Sequence, residues 1–460
     1  MESLDHAIIA FANFVWGPPL LVLLLGGGIF FLLHSRFLPY RHFGHAIDIV
    51  RGKYDDPRDD GHIPHFQALA TALSGTLGLG NIAGVAVAIT MGGPGAIFWM
   101  WVSAVVGVAT KFYTSSLAIM YRGRDSLGHL QGGPMYVVRE GLGRRWMPLA
   151  VLFALAGLFG TLPVFQVNQL TQIVRDVVAI PNGWTEAGDH FGFDLVFGLA
   201  VAAAVLAVVL GNIQRIGAVT ARLVPGMVLF YLGMTAYVLI VRAADVPAAF
   251  YAILHDAFTG EAAAGGAVGT VVLMGVRRGA FSNEAGIGTE AMAHGAAKTN
   301  EPIREGLVAM MGPVIDTLVV CTCTALAILV TGAWQSGGAD GVTMTANAFE
   351  QVIPGAGAYL LTVMVLFLSL STVFSFWYYG GKCLGFLIGA QHQRYYVYIY
   401  TALIVAGAVA SLDVVISLID GMYGLMAIPT TTSAILLAPR VMREARSYFG
   451  RYRAEAWETD

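Results

Sequence analysis

The sequence predicts an all-α polytopic membrane protein of eleven transmembrane helices, and three observations lead there. Of 460 residues, 57% are hydrophobic and only 12% are charged, against roughly 25% charged in a soluble globular chain. So few charges cannot solvate the surface of a soluble chain this long, whereas helices facing lipid need no such surface. Apolar runs of about 20 residues, the length that crosses a bilayer as a helix, recur between polar breaks. Basic residues, finally, collect in alternate breaks. The net charge of -3 is uninformative about partners.

Taken in order, the expected spans are 14–34, 65–90, 96–121, 147–171, 193–210, 220–241, 265–294, 306–331, 356–388, 396–411 and 414–438. The first is read as a retained helix, because Glu2 and Asp5 stand where a signal peptide needs basic residues and no small-residue cleavage site follows. With the N-terminus outside, the inner segments are 35–64, 122–146, the stretches holding Arg215 with Arg222 and Lys298 with Arg304, the loop with Arg394, and the run from Arg440 to Arg453. The outer loops then hold only Arg175 and Arg242, while Lys111, Arg277, Arg278 and Lys382 fall within spans. The alternation therefore predicts an integral plasma (inner) membrane protein with its C-terminus in the cytoplasm.

The second and seventh spans contain "NIAGV" (81–85) and "NEAGI" (283–287), each in a Gly-rich interruption of an apolar run. Five helices apart, the two spans cross in opposite directions, as an inverted five-helix repeat requires. The expected organisation is an extracellular N-terminus, first helix and cytoplasmic loop (1–64), a first repeat (65–241), an extracellular connection (242–264), an inverted second repeat (265–438) and a basic cytoplasmic tail (439–460).

In "SGTLGLGNIAGVA" (74–86), Gly78, Gly80 and Gly84 spell the letters of a dinucleotide-binding turn. That turn needs a preceding strand and an acidic residue about 20 positions on, and there is no Asp or Glu between Asp60 and Asp125. Two readings remain: a small-residue seam for close helix packing, or an unwound segment whose freed carbonyls and amides meet a cation and an anion. Asn81 favours the second, because an amide in mid-span is costly unless bonded and a packing seam does not need one.

The seventh span repeats this pattern with Arg277, Arg278, Ser282, Asn283 and Glu284 at membrane depth. Mutual pairing of Arg277, Arg278 and Glu284 is the favoured reading of the charges, and Asn283 and Ser282 are the better site candidates. Asp316 reads equally as an ion ligand or as an arginine's partner. Ser371 and Thr372 offer hydroxyl oxygens of the kind an alkali cation prefers, or else bond carbonyls one turn back. Phe374, Phe376 and Trp377 read as packing residues, and Gln166 and Asn168 could reach a polar substrate or sit at the outer mouth. Cys321, Cys323 and Cys383 lie in apolar runs without C-x-x-C spacing and read as packing residues. No nucleophile motif, no H-E-x-x-H and no spaced His/Cys cluster points to an enzyme.

The segments "GNIAGVAVAITMGGPGAIFWMW" (80–101), "QGGPMY" (131–136) and "RRGAFSNEAGIG" (277–288) resemble the alanine/glycine:cation symporter family over nearly the whole chain. The resemblance implies a leucine-transporter-like inverted-repeat fold that imports small neutral amino acids, alanine and glycine with serine as a further candidate, with sodium and no organic cofactor. It implies a substrate carboxylate at the unwound amides of Leu79, Gly80 and Asn81 and an ammonium near Phe281 and Asn283. Thr76, Gln166, Asn168 and Phe376 complete the expected substrate set, and sodium is expected between Ser74, Leu77, Ser371 and Thr372. Against the family pattern, Leu79 stands in place of Thr, Pro163 of Asn, Phe376 of Trp and Gly381 of Glu. The partners expected are a small amino acid and membrane lipid, without nucleic acid or an obligate protein partner. A proton-coupled transporter, with Glu284 or Asp316 titrating, and an amino-acid receptor or channel are the alternatives.

Overall fold

Glycine, proline and mid-span polar groups decide where the apolar runs of this chain stay straight and where they break. The structure, a computed structural model, describes residues 2–209, 213–261, 267–335 and 340–458. Among the described residues, six helices are long and apolar enough to cross a membrane: Ala96–Met120, Arg144–Ala179, Ile213–Val241, Pro302–Thr331, Gly357–Ile388 and Leu412–Tyr452. Two bent pairs raise that number to 8: Asp5–Val15 with Pro18–His34, and His65–Thr76 with Leu79–Gly92. The other expected spans coincide with Phe191–Val209, with Val268–Asn283 continued by Thr289–His294, and with Tyr396–Val409. Residue 210 of one expected span, residues 265 and 266 of another, and 262–264 of the expected connection lie outside the described residues.

Several boundaries differ from expectation, each for a local reason. The first helix starts at Glu2 and turns by 46° at Trp16–Gly17, where Pro18 and Pro19 cannot supply amide donors to the turn before them. The run expected at 147–171 divides into Met147–Gly160 and Val164–Val174, with Pro163 opening the second piece. The last helix runs well past 438, from Leu412 to Glu458. Two further helices, Val246–Thr259 and Gly341–Val352, occupy stretches read as connections. A small antiparallel pair, Gly123–Arg124 with Leu130–Gln131, departs from the all-α reading; Asp125 holds its turn by accepting the Leu127 and His129 amides at 2.9 and 3.0 Å.

Burial divides the helices into an inner and an outer set. The most hydrophobic window of Ala96–Met120 is 72% buried and that of Ile213–Val241 only 33%, so the first is central and the second faces outward with Leu229 and Ile240 exposed. At the centre, Val268–Asn283 packs on Ala96–Met120 and Ala83–Gly92, while His65–Thr76 packs on Ile213–Val241, Gly357–Ile388 and Thr289–His294. The two interrupted helices also run antiparallel. The residues entering the first are bonded to those leaving the second: His62 N–H donates to the Ala296 carbonyl at 2.9 Å and Lys298 N–H to the Ile63 carbonyl at 2.7 Å.

Candidate functional site

The first break is held by side chains. Helix His65–Thr76 stops, Gly78 is extended, and a single 3-10 turn, Leu79–Asn81, leads into Ala83–Gly92 at a 56° bend. Leaving the helix frees backbone donors, which must be bonded when buried. Asn81 Oδ1 accepts the Gly78 amide and Gln166 Oε1 accepts the Leu79 amide, both at 3.2 Å. The glycines serve close approach as well: a Cβ on Gly78 would lie 2.5 Å from Thr372 Oγ1, and one on Gly80 would lie 3.2 Å from the Phe281 ring. The segment is therefore unwound, and its glycines also serve close packing.

The second break follows Asn283. Glu284 is left-handed at φ 55°, and Gly286 and Gly288 also have positive φ. Asn283 caps the turn, accepting the Ala285 amide on Oδ1 at 2.9 Å and donating from Nδ2 to Thr317 Oγ1 at 3.1 Å. The expected mutual pairing of Arg277, Arg278 and Glu284 does not occur. Both arginines instead converge on Asp420 Oδ2, Arg277 Nε at 2.7 Å and Arg278 Nη2 in close contact. Glu284 accepts the hydroxyls of Thr289 and Tyr423, the latter at 2.8 Å. Asp420 escaped the sequence reading, although a lone acid inside the apolar run "VVISLIDGMYGLMAI" was its signal.

The breaks meet through Asn81. Its Nδ2 donates to Ser282 Oγ at 3.3 Å, to Cys321 Sγ at 3.3 Å and to the Asp316 carbonyl at 3.5 Å. Among the described residues Asp316 has no arginine partner, and its Oδ1 accepts from Ser282 and Thr317. Cys321, read as a packing residue, also contacts Ser282 Oγ at 3.0 Å. Asp316 and Cys321 lie in a π-helical stretch, Val314–Cys321, within Pro302–Thr331, an irregularity frequent at functional sites. Phe281 lies against Gly80 and edge-on to Phe165, ring centres 5.1 Å apart.

Of the expected substrate residues, Leu79, Gly80, Asn81, Gln166 and Phe281 thus form one contiguous group, with Thr76 at its edge facing Asp316. Phe376 packs one turn earlier, on Gly75 and Tyr379. Asn283 turns toward Thr317. Asn168 lies apart from the break, donating to the Gly407 and Ala410 carbonyls at 3.2 and 2.6 Å. Of the positions that differ from the family pattern, Leu79 is fully buried, Pro163 precedes Val164–Val174, and a side chain on Gly381 would enter open space.

Among the expected sodium ligands, Thr372 Oγ1 donates to the Ser74 carbonyl at 2.9 Å and to the Leu368 carbonyl at 3.0 Å, which ties Gly357–Ile388 to the first broken helix. Ser371 Oγ donates to the Leu368 carbonyl at 2.9 Å, so the one-turn-back bonding holds for both hydroxyls. Leu77 lies in the break itself. Hydroxyl and carbonyl oxygens keep a lone pair after one hydrogen bond, so this donor set fits a hard monovalent cation.

A membrane bundle organised around two antiparallel broken helices, with hard oxygens and amide-bearing turns at their meeting point, defines the class of secondary transporters. The comparisons agree. Residues 1–459 match the Sodium:alanine symporter family, and the chain belongs to that family. It is 40% identical over 442 residues to the "Sodium/alanine symporter AgcS" of Methanococcus maripaludis, covering 95% of each chain. It is 38% identical over 469 residues to an "Uncharacterized transporter" of Haemophilus influenzae, covering 100% of this chain and 99% of that one. Its fold is like that of MhsT, solved in complex with L-phenylalanine, at a TM-score of 0.60 and 12% identity over 82% of this chain and 89% of the other. The protein is a transporter and not an enzyme.

Proposed function

We propose that this protein imports small neutral amino acids, alanine and glycine first, in symport with sodium. The observation that carries the reading is the contiguity of Leu79, Gly80, Asn81, Gln166 and Phe281 at the first break. Backbone amides of a 3-10 turn suit a carboxylate, and the rings of Phe281 and Phe165 leave a substrate little width beside Gly80. In this reading the carboxylate meets the Leu79–Asn81 turn and the ammonium lies toward Phe281 and Asn283, with Thr76 and Phe376 as walls and Asn168 a more distant support. Sodium is a co-transported substrate held by the carbonyls of Ser74 and Leu77 and the hydroxyls of Ser371 and Thr372. A cation there bridges the first broken helix to Gly357–Ile388 and braces the turn that receives the amino acid. Coupling follows if sodium favours the state that binds substrate well, and substrate then raises sodium affinity by the same factor.

The proposed topology is eleven spans in two inverted repeats, 65–241 and 265–438, with the N-terminus outside and the C-terminus cytoplasmic. It is supported by the antiparallel broken helices and by the basic segments gathering on one face: Arg122 bonds the Gly295 and Thr299 carbonyls, Arg440 the Gly141 carbonyl, and Arg451 the Glu301 carboxylate. The test is uptake of labelled alanine, glycine and serine into proteoliposomes. A sodium gradient should drive concentrative, saturable uptake; uptake indifferent to sodium and driven by a pH gradient would establish the proton-coupled alternative instead.

A further inference from the structure

Just past the first helix the chain turns through two consecutive left-handed residues, Arg36 at φ 53° and Phe37 at φ 60°, a conformation that is costly in residues other than glycine. The turn brings Arg41 back onto Arg36, whose carbonyl accepts from Arg41 Nη2. Between this corner and the terminal helix lies a cavity of about 410 Å³, within the range of small-ligand sites, roughly 300–1,000 Å³. Arg36, Arg41 and Arg446 line it together with His34 and His42, and no Asp or Glu does. Among the described residues none of these three arginines has an acidic partner, whereas Arg451, further along the same helix, lies on Glu301 at 2.9 Å. Three guanidinium groups around one cavity repel one another, so an anion completes the arrangement. A guanidinium's planar fork of donors matches phosphate oxygens in particular. The walls are fixed on both sides: the His42 ring packs on Phe449, centres 3.9 Å apart, and His34 stacks on Phe30 at 5.2 Å. Phe30, Leu33 and Phe37 are exposed, so an apolar strip on a membrane-spanning helix runs into the basic cavity. That pairing of surfaces suits an amphiphile with its anionic group at the end of acyl chains.

We propose that this cavity binds a phosphate ester, the headgroup of an anionic phospholipid whose acyl chains lie along Phe30 and Leu33. Arg36 and Arg41 hold the phosphate from one side and Arg446 from the other, so the bound headgroup clasps the end of the first helix to the terminal helix. It also neutralises the three guanidinium groups that otherwise repel one another there. The cavity shares no residue with the proposed amino-acid and sodium sites, so this binding does not depend on the symport reading.

The experiment is native mass spectrometry of the purified full-length protein in detergent, titrated with phosphatidylglycerol, phosphatidylcholine or sn-glycerol 3-phosphate, with lipid-dependent thermal stabilisation as a second readout. Wild type is compared with the double variant Arg36→Gln, Arg446→Gln and with Arg443→Gln, which removes an exposed arginine of the same helix outside the cavity. The substituted side chains are exposed, and each variant is first checked for a wild-type melting temperature without lipid. Wild type is expected to bind one phosphatidylglycerol at least tenfold more tightly than phosphatidylcholine. The double variant should lose at least tenfold in that affinity and most of the stabilisation, while Arg443→Gln should keep both. Equal affinity for the two lipids, or an Arg443→Gln as impaired as the double variant, would overturn the inference. Glycerol phosphate should bind at least tenfold more weakly than phosphatidylglycerol; binding as tight would overturn the lipid and make a soluble phosphate ester the ligand.

Discussion

At the scale of single residues, Asn81 carries more bonds than an amide in an apolar helix ordinarily could. It accepts the Gly78 amide and donates toward Ser282, Cys321 and the Asp316 carbonyl. Asn81→Ala deletes these bonds, although the Gly78 N–H keeps its 2.8 Å bond to the Thr76 carbonyl, and the loss of a typical hydrogen bond costs about 0.5–1.5 kcal/mol. The variant is therefore expected to fold with a measurably lower melting temperature and to lose sodium-driven uptake entirely; retained uptake at wild-type rate would show that the turn does not depend on this side chain. Gly78 gives a second test. A methyl group there must displace the Thr372 hydroxyl that lies 2.5 Å from it, at a strain of about 1–3 kcal/mol. Because Thr372 bonds the Ser74 carbonyl, Gly78→Ala should raise the sodium concentration giving half-maximal uptake by roughly tenfold or more, equivalent to ~1.4 kcal/mol. An unchanged sodium dependence would separate Gly78 from the cation.

At the scale of helices, the arginines of the second broken helix are anchored to the terminal helix through one carboxylate. Two guanidinium groups share Asp420, so the partners are unequal in what their removal leaves behind. Asp420→Asn strands two buried cations and should destabilise by about 3–5 kcal/mol. Arg277→Gln leaves Asp420 paired with Arg278 and should cost only about 1.5–3 kcal/mol, the worth of a charged hydrogen bond. Thermal unfolding in detergent orders them, and an Arg277→Gln as damaging as Asp420→Asn would contradict the shared-anchor description. Outside the spans, helix Phe43–Val50 docks on the terminal helix through His45, whose Nε2 lies 2.7 Å from the Tyr448 hydroxyl. Burial, with His42 beside it, lowers the His45 pKa from 6.5 to about 4. The folded state therefore binds this proton less well than the unfolded one, so the docking is at full strength above pH 6.5 and weakens as pH falls from there toward 4. Amide exchange in 43–50 should quicken between pH 7 and 5, and His45→Phe should remove that dependence. The two breaks were readable in the sequence because their causes are local: glycines with an amide at 78–81, and Asn283 with Gly286 and Gly288 after it. The Asp420 anchor and the Asn168 contacts to Gly407 and Ala410 were not. Which polar residues meet across a bundle depends on helix rotation and packing, and hydropathy encodes neither. Helices Val246–Thr259 and Gly341–Val352 were missed because, at 14 and 12 residues, they are too short to register as spans.

At the scale of the whole molecule, one end of the bundle is closed by backbone. The segment entering the first broken helix is bonded to the segment leaving the second: His62 N–H to the Ala296 carbonyl, Lys298 N–H to the Ile63 carbonyl and Thr299 N–H to the Asp60 carbonyl. Arg122 fastens this seam, donating to the carbonyls of Asp60, Gly295, Ala297 and Thr299. Beneath it, the imidazoles of His65 and His294 meet the two oxygens of Glu305. Transport by alternating access requires such a seam to part, and among the described residues this guanidinium is bonded to carbonyls and has no ion pair to be broken when it does. Removing it should therefore shift the resting population toward the form open on this face without removing the amino-acid site. Cys321, buried against Asn81 and Ser282, reports on access to the proposed site. In a Cys323→Ala, Cys383→Ala background, Arg122→Gln should speed modification of Cys321 by a charged thiol reagent applied from the side of the membrane on which this seam lies by about tenfold, a population shift of ~1.4 kcal/mol. Saturating sodium should slow it again if the ions favour the state closed on this face. Labelling at the wild-type rate, with sodium and without, would mean that Arg122 fastens a fixed wall and that the moving gate lies elsewhere in the bundle.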